Sequence, residues 1–226
     1  MRLQNGSLAV FSPQALTAEW KEHITSQGNR LNYIAVLDTE HHISLGEWAK
    51  AYPAAKVIGM KGLAESRRKG KKEEVQIHHT VEESNNGTLS VDPDFDAEFY
   101  HEFVHTHPNK ELVFFYKPEK TLIQADLIFN LPATEQFSKS GEDPTTGFAT
   151  KLALMLQGSA GEAMGQRRFL WHIASRADRP AFAKSMQRIN AWGPERIIPC
   201  HGDVIETGGV ALFQKLMAWH LNPKSK

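Results

Sequence analysis

Four side chains that can bind protons or metal ions directly follow the apolar segment Tyr33–Leu37: Asp38, Glu40, His41 and His42. A carboxylate at the end of a buried strand is costly unless it is paired or bound to a cation. Imidazole and carboxylate together form a common ligand set for zinc or iron. The run therefore predicts a loop that faces a metal ion.

Two more apolar segments end in residues of the same chemistry. Asp126 follows Thr121–Ala125, and His201 follows Ile197–Pro199 within the short sequence CHGD. In open α/β sheets, ligand sites lie at the carboxyl ends of the strands. If the three strand ends converge, they bring histidines and carboxylates into one pocket, where a divalent cation would satisfy several of them at once.

The two neighbouring histidines of the first run are not equivalent. Adjacent residues on an extended segment point to opposite sides, so we expect one of them to be a ligand, and we favour His42 over His41. His107 fits a ligand role and a place in an exposed row of histidines equally well. His78 and His79 lie in a charged stretch and are expected to take no part.

Structural roles compete with ligation at the other two strand ends. Asp126 also fits a helix cap or a turn, and His201 also fits a buried histidine held by hydrogen bonds. Their shared position at the ends of apolar strands favours ligation. Cys200 is expected to pack rather than to bind a metal.

The elements that must position these residues alternate along the chain. The predicted strands are SLAVF, YIAVLD, AKVIG, EFYHEFVH, ELVFFY, TLIQADLIF and PERIIPCHGD. Helices are predicted to start at Ser12, over Ser44–Tyr52, after the cap Asp178, and over Thr207–Leu221, whereas residues 61–97 are predicted as loops and a hairpin. Interleaved strands and helices indicate one α/β layered domain over residues 1–226.

Composition and charge exclude several classes of partner. Lys plus Arg and Asp plus Glu both number 26, so there is no electrostatic reason to expect nucleic acid or an anionic membrane. The basic run RRKGKK is followed by Glu73 and Glu74 and is expected to be a solvated loop. A lone Cys200, with no signal-peptide pattern and no long apolar segment, predicts a cytoplasmic protein.

The opening run resembles the metal-binding signature H-x-H-x-D-H of the metallo-β-lactamase superfamily. His42 stands at the final histidine of the signature and His41 at its aspartate, whereas Leu37 and Thr39 fall on the first two histidines. The chain thus resembles a divergent branch in which an EHH form replaces the full signature. This form implies occupancy closer to one ion than to two.

Three later residues continue the resemblance in the same order along the chain. His107 is similar to the third histidine, Asp126 in KTLIQADLIF to the bridging aspartate, and His201 in IIPCHGD to the terminal histidine. The resemblance implies the αββα sandwich of the superfamily and a metal site formed by His42, Asp126 and His201, with His41 and His107 as further ligands.

The activity that the resemblance implies is hydrolysis of a small ester, lactone, thioester or amide through a metal-bound hydroxide. The cofactor is expected to be zinc, with iron or manganese as alternatives. Asp126 would orient the water, and Asp38 or Glu40 would accept its proton. Two other functions stay open: an iron-dependent redox protein on the same fold, and a binding protein without full metal occupancy. The sequence does not indicate an oligomeric state.

Overall fold

The computed structural model describes residues 1–222 and 224. The chain divides into two compact units. Unit 1 comprises Met1–Phe103 with Asn109–Leu112, and unit 2 comprises Val104–Pro108 with Val113–Lys226. The single-domain organisation expected over residues 1–226 stays a prediction.

Unit 1 contains a four-stranded parallel sheet in the order β1-β2-β3-β4. Ile34 and Ala35 in the second strand are fully buried, as expected when both faces of a parallel sheet are covered. The strands are β1 Leu8–Phe11, β2 Leu31–Ala35, β3 Lys56–Met60 and β4 His79–Val81, and the helices are α1 Ala18–Ser26, α2 Leu45–Ala51, α3 Leu63–Lys69 and α4 Pro93–Glu98.

A second four-stranded sheet has the order β5-β6-β7-β8, and its first two strands include residues of both units. The strands are β5 Phe99–Val104, β6 Glu111–Tyr116, β7 Thr121–Ile123 and β8 Arg196–Ile198. β6 and β7 are antiparallel and are joined through a 3₁₀ turn, whereas β7 and β8 are parallel. The parallel pair matters most for the site, because two chain segments leave it at the same edge.

The remaining helices belong to unit 2. They are α5 Thr134–Phe137, α6 Phe148–Gln157, α7 Met164–Phe169, a π-helical turn Leu170–Ala174, α8 Arg179–Trp192, α9 Gly209–Leu216 and α10 Ala218–Leu221. The predicted cap of α8 is confirmed, since the Asp178 side chain accepts a hydrogen bond from the Ala181 N–H. The predicted inner face is confirmed as well: Phe182, Met186 and Ile189 are fully buried.

The prediction of loops and a hairpin over residues 61–97 is wrong, because this stretch contains α3, β4 and α4. Its polar residues are held by partners that are distant in sequence. Asp92 caps α4 by accepting from the Phe95 N–H, and it also lies 2.6 Å from the Lys56 ammonium. Local propensity could not show these partners.

The basic run RRKGKK is likewise not a wholly solvated loop. It begins inside α3, and Arg67 is buried. The Arg67 guanidinium donates to the carbonyl oxygens of His42 at 2.8 Å and Glu73 at 2.7 Å. Backbone oxygens therefore satisfy a charge that the sequence alone placed in solvent.

The helix predicted to start at Ser12 begins instead at Ala18, after the cap Thr17. The Ser12 hydroxyl is engaged elsewhere, since it accepts from the Leu37 N–H at 2.9 Å. The Ser12 N–H donates to Ala35, which extends the pairing of β1 with β2. Tertiary pairing thus competes with helix capping and prevails here.

The predicted closing helix is interrupted at Met217, between α9 and α10. After the interruption, His220 is buried against the rings of Trp171 and Phe182, at 5.1 Å and 4.8 Å between centroids. Its Nε2 lies 3.1 Å from the hydroxyl oxygen of Ser175, which itself donates to the Trp171 carbonyl. Burial, followed by the Arg179 charge, lowers the pKa of His220 to about 4.

Among the described residues, no helix combines the length and the apolar character needed to span a membrane.

His220 should make the stability of the protein pH-dependent. An unfolded histidine titrates near a pKa of about 6.5, so the unfolded chain takes up a proton that folded His220, with a pKa of about 4, does not bind between these values. The stabilisation is complete above the unfolded pKa and is lost as the pH falls. We expect thermal melts to show that His220→Gln loses about 3 kcal/mol of the wild-type pH dependence.

The exposed His23 on α1 provides the control for this measurement. His23→Gln should leave the pH dependence of the melt as in the wild type. An equal dependence in His220→Gln and the wild type would contradict the assignment.

Candidate metal centre

Asp126 and His201 come together at the carboxyl ends of the parallel strands β7 and β8. Leu122 of β7 pairs with Ile197 of β8. The Gln124 N–H extends this pairing by donating to the Ile198 carbonyl of β8. The segments that follow β7 and β8 then leave the sheet at the same edge. Asp126 Oδ1 lies 3.3 Å from His201 Nε2. The predicted side-by-side placement of these two strand ends is thus present in unit 2.

The spacing of this pair suits two ligands of one metal ion. Ligand atoms about 2.0–2.2 Å from a tetrahedral zinc ion are about 3.3–3.5 Å from each other. A direct charge-assisted hydrogen bond would draw nitrogen and oxygen to about 2.7–2.9 Å. One carboxylate and one imidazole also form a donor set that suits zinc, iron or manganese. The two residues therefore fit a divalent cation.

A buried amide closes the loop that carries Asp126. The Gln124 side chain is 1% exposed. Its Nε2 donates to the Ile128 carbonyl at 2.7 Å, and its Oε1 accepts from the Ile128 N–H at 3.0 Å. The Gln124 amide thus gives the Ile128 backbone the two hydrogen bonds that a neighbouring strand would otherwise provide. The only sequence signal for this role was a glutamine inside the apolar run TLIQADLIF.

Phe129 supports the other member of the pair. Its ring stacks on the His201 ring with 5.4 Å between centroids and an interplanar angle of 5°. The Phe129 backbone is fixed by the fully buried Gln166, which accepts from its N–H at 2.9 Å and donates to its carbonyl at 3.0 Å. Sequence reasoning missed both residues, because α7 meets this segment only in the folded chain.

The backbone conformation directly after His201 requires the glycine at position 202. Its φ is +99°, and a Cβ atom here would overlap the backbone oxygen and carbon of Asn130. The Asn130 N–H donates to the His201 carbonyl at 3.1 Å, so this close approach fixes the backbone of the histidine. Asp203 has a structural role, since its carboxylate accepts from the Glu135 N–H and the Thr134 hydroxyl.

Unit 1 presents a second histidine–carboxylate pair after β2. Asp38 is fully buried, and its Oδ1 accepts from the N–H groups of Glu40 at 2.9 Å and His41 at 2.6 Å. Asp38 Oδ2 lies 2.7 Å from His41 Nδ1. Proton donation from Nδ1 to this carboxylate leaves the ring lone pair on Nε2, the tautomer that carboxylates impose on metal-binding histidines. The Glu40 side chain is exposed.

His42 is in a different environment from its neighbour. Its Nε2 lies 3.3 Å from the Ser66 hydroxyl oxygen, and its Nδ1 lies 3.4 Å from the Arg67 guanidinium. Ser66 donates its own proton to the Thr39 carbonyl, so it accepts from His42. Burial, and next the Arg67 charge, lower the pKa of His42. Both ring nitrogens therefore have partners within unit 1.

The structure also gives the local surroundings of His107, His78 and His79. His107 is 3% exposed in the turn after β5, where its N–H donates to the Val104 carbonyl. His79 is not in a charged loop but begins β4. The Nδ1 of His78 accepts from the Val57 N–H at 2.9 Å, so this histidine supports the edge of the sheet.

Several solved structures that share the fold of this chain are named as metal-containing proteins. The DIM-1 metallo-β-lactamase matches 98% of this chain and 82% of its own, with 13% identity and a TM-score of 0.56. The metallo-β-lactamase from Pontibacter korlensis matches 96% and 83%, with 12% identity and a TM-score of 0.55. The chain has the metallo-β-lactamase fold.

Metallo-β-lactamase folds also include iron proteins that resemble this chain. The Flv1 flavodiiron core from Synechocystis matches 97% of the chain with 14% identity and a TM-score of 0.61, and the chain spans about half (51%) of that protein. The αββα fold class predicted from the sequence is confirmed. No protein-family model matches the chain, and a sequence comparison with curated proteins gives no match.

Gly202 should tolerate no side chain, and Gly161 is its matched control. Both have positive φ, but a Cβ atom at Gly161 meets no atom within 4 Å. Gly161→Ala should cost about 1–2 kcal/mol of unfolding free energy through backbone strain alone. Gly202→Ala should cost at least about 3 kcal/mol, because overlap with Asn130 adds to the strain. Equal losses in denaturant titrations would contradict the close approach.

Proposed function

We propose that this protein is a metal-dependent hydrolase of a small ester, lactone, thioester or amide, with zinc as its metal. The proposal is supported above all by the 3.3 Å spacing of Asp126 Oδ1 and His201 Nε2. Two ligands of one tetrahedral ion have this spacing. The metallo-β-lactamase fold is consistent with the proposal and does not specify a substrate.

We further propose that His41, rather than the His42 favoured from the sequence, is the metal-binding histidine of unit 1. The carboxylate of Asp38 fixes the His41 tautomer that binds metals. His42 instead uses both ring nitrogens on Ser66 and Arg67, and a guanidinium beside a ring disfavours a cation there. The involvement of His107 stays a prediction.

A bound divalent ion would supply Lewis acidity and would lower the pKa of a water molecule. The protein residues would do the rest. His201, held by Phe129, and Asp126, held by the Gln124 loop, would fix the position of the ion. The Asp126 carboxylate would also orient the attacking water and accept its proton. Asp38 is bound to His41 and two N–H groups, so a positioning role suits it better than proton transfer.

An iron-dependent redox function is the second candidate. It is favoured by the similarity to the flavodiiron core, whose TM-score of 0.61 exceeds that of the β-lactamases quoted above. An oxygen and nitrogen donor set binds iron as well as zinc. Metal analysis and a visible absorption spectrum of the purified protein distinguish the two. Zinc with ester or thioester hydrolysis supports the first candidate, and coloured, iron-loaded protein supports the second.

Removal of either proposed ligand in unit 2 should abolish tight zinc binding. We expect wild-type protein to bind close to one ion per chain. Asp126→Asn and His201→Ala should weaken zinc binding more than about 100-fold, because even outer-shell partners contribute about 10–100-fold. Competition with a chromophoric chelator measures the affinity, and a thermal melt checks that the variants remain folded.

His23→Ala is the control for these variants, since His23 is exposed on α1. It should bind zinc as the wild type does. A stoichiometry near two would contradict the single ion. Unchanged affinity in both ligand variants would contradict the site and, with it, the hydrolase proposal.

Asp38 should influence metal binding by unit 1 through His41. Asp38→Asn can still accept the two backbone hydrogen bonds, but it no longer holds the His41 ring through a charge. We expect zinc affinity to fall by about 10–100-fold with little loss of stability. His42→Asn should leave zinc affinity close to the wild type. The reverse pattern, with only His42→Asn impaired, would restore His42 as the ligand.

A further inference from the structure

Unit 2 carries a recess formed by α6, α7 and the π-helical turn that follows. The recess, which we call the α6–α7 groove, has a volume of about 590 Å³. Its walls are mostly apolar and include Leu154, Met155, Leu156, Met164, Phe169 and Ile173. Neither Asp126 nor His201 lines it. Sites for small organic ligands commonly have volumes of about 300–1,000 Å³ and apolar walls.

The groove is built by a close helix crossing. A Cβ atom at Gly165 would overlap the carbonyl oxygen of Met155 and come within 2.8 Å of the Leu156 backbone, so only glycine lets α7 approach α6 this closely. Gln166 then joins the helices by donating to the Gln157 carbonyl at 3.0 Å. The floor of the groove is therefore fixed by backbone contacts and a buried amide.

The apolar walls are strongly exposed. Met155 is 67% exposed, Ile173 is 53% exposed and Met164 is 37% exposed. Single exposed apolar residues are ordinary, whereas a contiguous group of them around a recess indicates a binding surface. Methionine is flexible and polarisable, and it adapts well to an alkyl chain.

Two cationic or protonatable side chains line the same groove. Arg168 and His172 both face it and are exposed. Within the described part of the chain, neither side chain has a hydrogen bond or an ion pair. The neighbouring arginines differ: Arg167 lies over the Trp219 ring and Arg179 over the Trp171 ring. Arg168 thus offers its complete guanidinium fork to a ligand.

We propose that the α6–α7 groove binds a long-chain fatty carboxylate. The alkyl chain lies along the methionine, leucine and isoleucine walls, and the carboxylate binds the Arg168 guanidinium with His172 beside it. The guanidinium fork matches a carboxylate in a bidentate geometry. This site does not require the metal and is independent of the hydrolase proposal.

Other occupants fit the groove less well. Recognition of an anionic membrane usually uses about 4–8 clustered basic residues, whereas the groove walls hold a single arginine. A second copy of the chain would have to insert a segment that is both acidic and apolar into the recess. A small amphiphile has one anionic group and one alkyl chain. These match the single arginine and the apolar walls of the groove.

Calorimetric titration with dodecanoate, below its micellar concentration, tests the proposal. The full-length protein should show saturable binding, while butanoate should show none. Dodecanol should bind about tenfold more weakly than dodecanoate, because it lacks the charge that Arg168 recognises. Arg168→Gln should lose about tenfold in dodecanoate affinity and none in dodecanol affinity.

Matched variants separate the groove from the general surface. Arg176→Gln changes an exposed arginine that does not line the groove, and it should bind dodecanoate as the wild type does. Ile173→Gln should weaken binding of both dodecanoate and dodecanol. Phe148→Gln should change neither, although Phe148 is 87% exposed, because it lies outside the groove.

Four results would overturn the proposal. The first is the absence of saturable dodecanoate binding, and the second is equal affinity in Arg168→Gln and Arg176→Gln. The third is co-sedimentation with phosphatidylserine vesicles that Ile173→Gln abolishes, which would assign the groove to a membrane surface. The fourth is a dimer in light scattering that Ile173→Gln converts to a monomer, which would assign it to a second copy of the chain.

Discussion

The parallel pairing of β7 with β8 is the constraint on which the candidate metal centre depends. These strands are only three residues long. Even so, they bring Asp126 Oδ1 to 3.3 Å from His201 Nε2, although the two residues are more than seventy positions apart in the sequence. A one-residue slip in the register would turn each side chain to the other face. Fully buried Leu122 and Ile197 hold the register, so the chemistry of the site depends on core packing.

Buried amides carry much of the precision around this pair. Gln124 and Gln166 each bond both backbone groups of one loop residue, and each is almost completely removed from solvent. A buried amide left unsatisfied is costly, so these contacts favour one loop conformation over the alternatives. Neutral amides achieve this without adding charge beside the carboxylate of Asp126.

Environment gives the histidines of this chain different roles. His220 and His42 are buried beside arginines, and their pKa values are lowered, which favours their neutral forms. His41 is oriented by the carboxylate of Asp38, and His201 is stacked on Phe129 with its side chain 45% exposed. Oriented, accessible imidazoles suit metal binding, whereas buried neutral ones suit packing. Proximity in sequence, as for His41 and His42, says little about which role a histidine takes.

The sequence by itself determined every strand of the two sheets except β4, the capped helix α8 with its buried face, and the strand ends that carry Asp38, Asp126 and His201. These features are local: apolar runs, caps and periodicity need no partner. Only the tertiary structure decided the partners of Arg67, the start of α1, the helices within residues 61–97 and the roles of Gln124 and Gln166. Most of them depend on hydrogen bonds between residues far apart in sequence, such as those of Arg67 with His42 and of Gln166 with Phe129. A polar side chain does not reveal whether water or a distant backbone group will satisfy it.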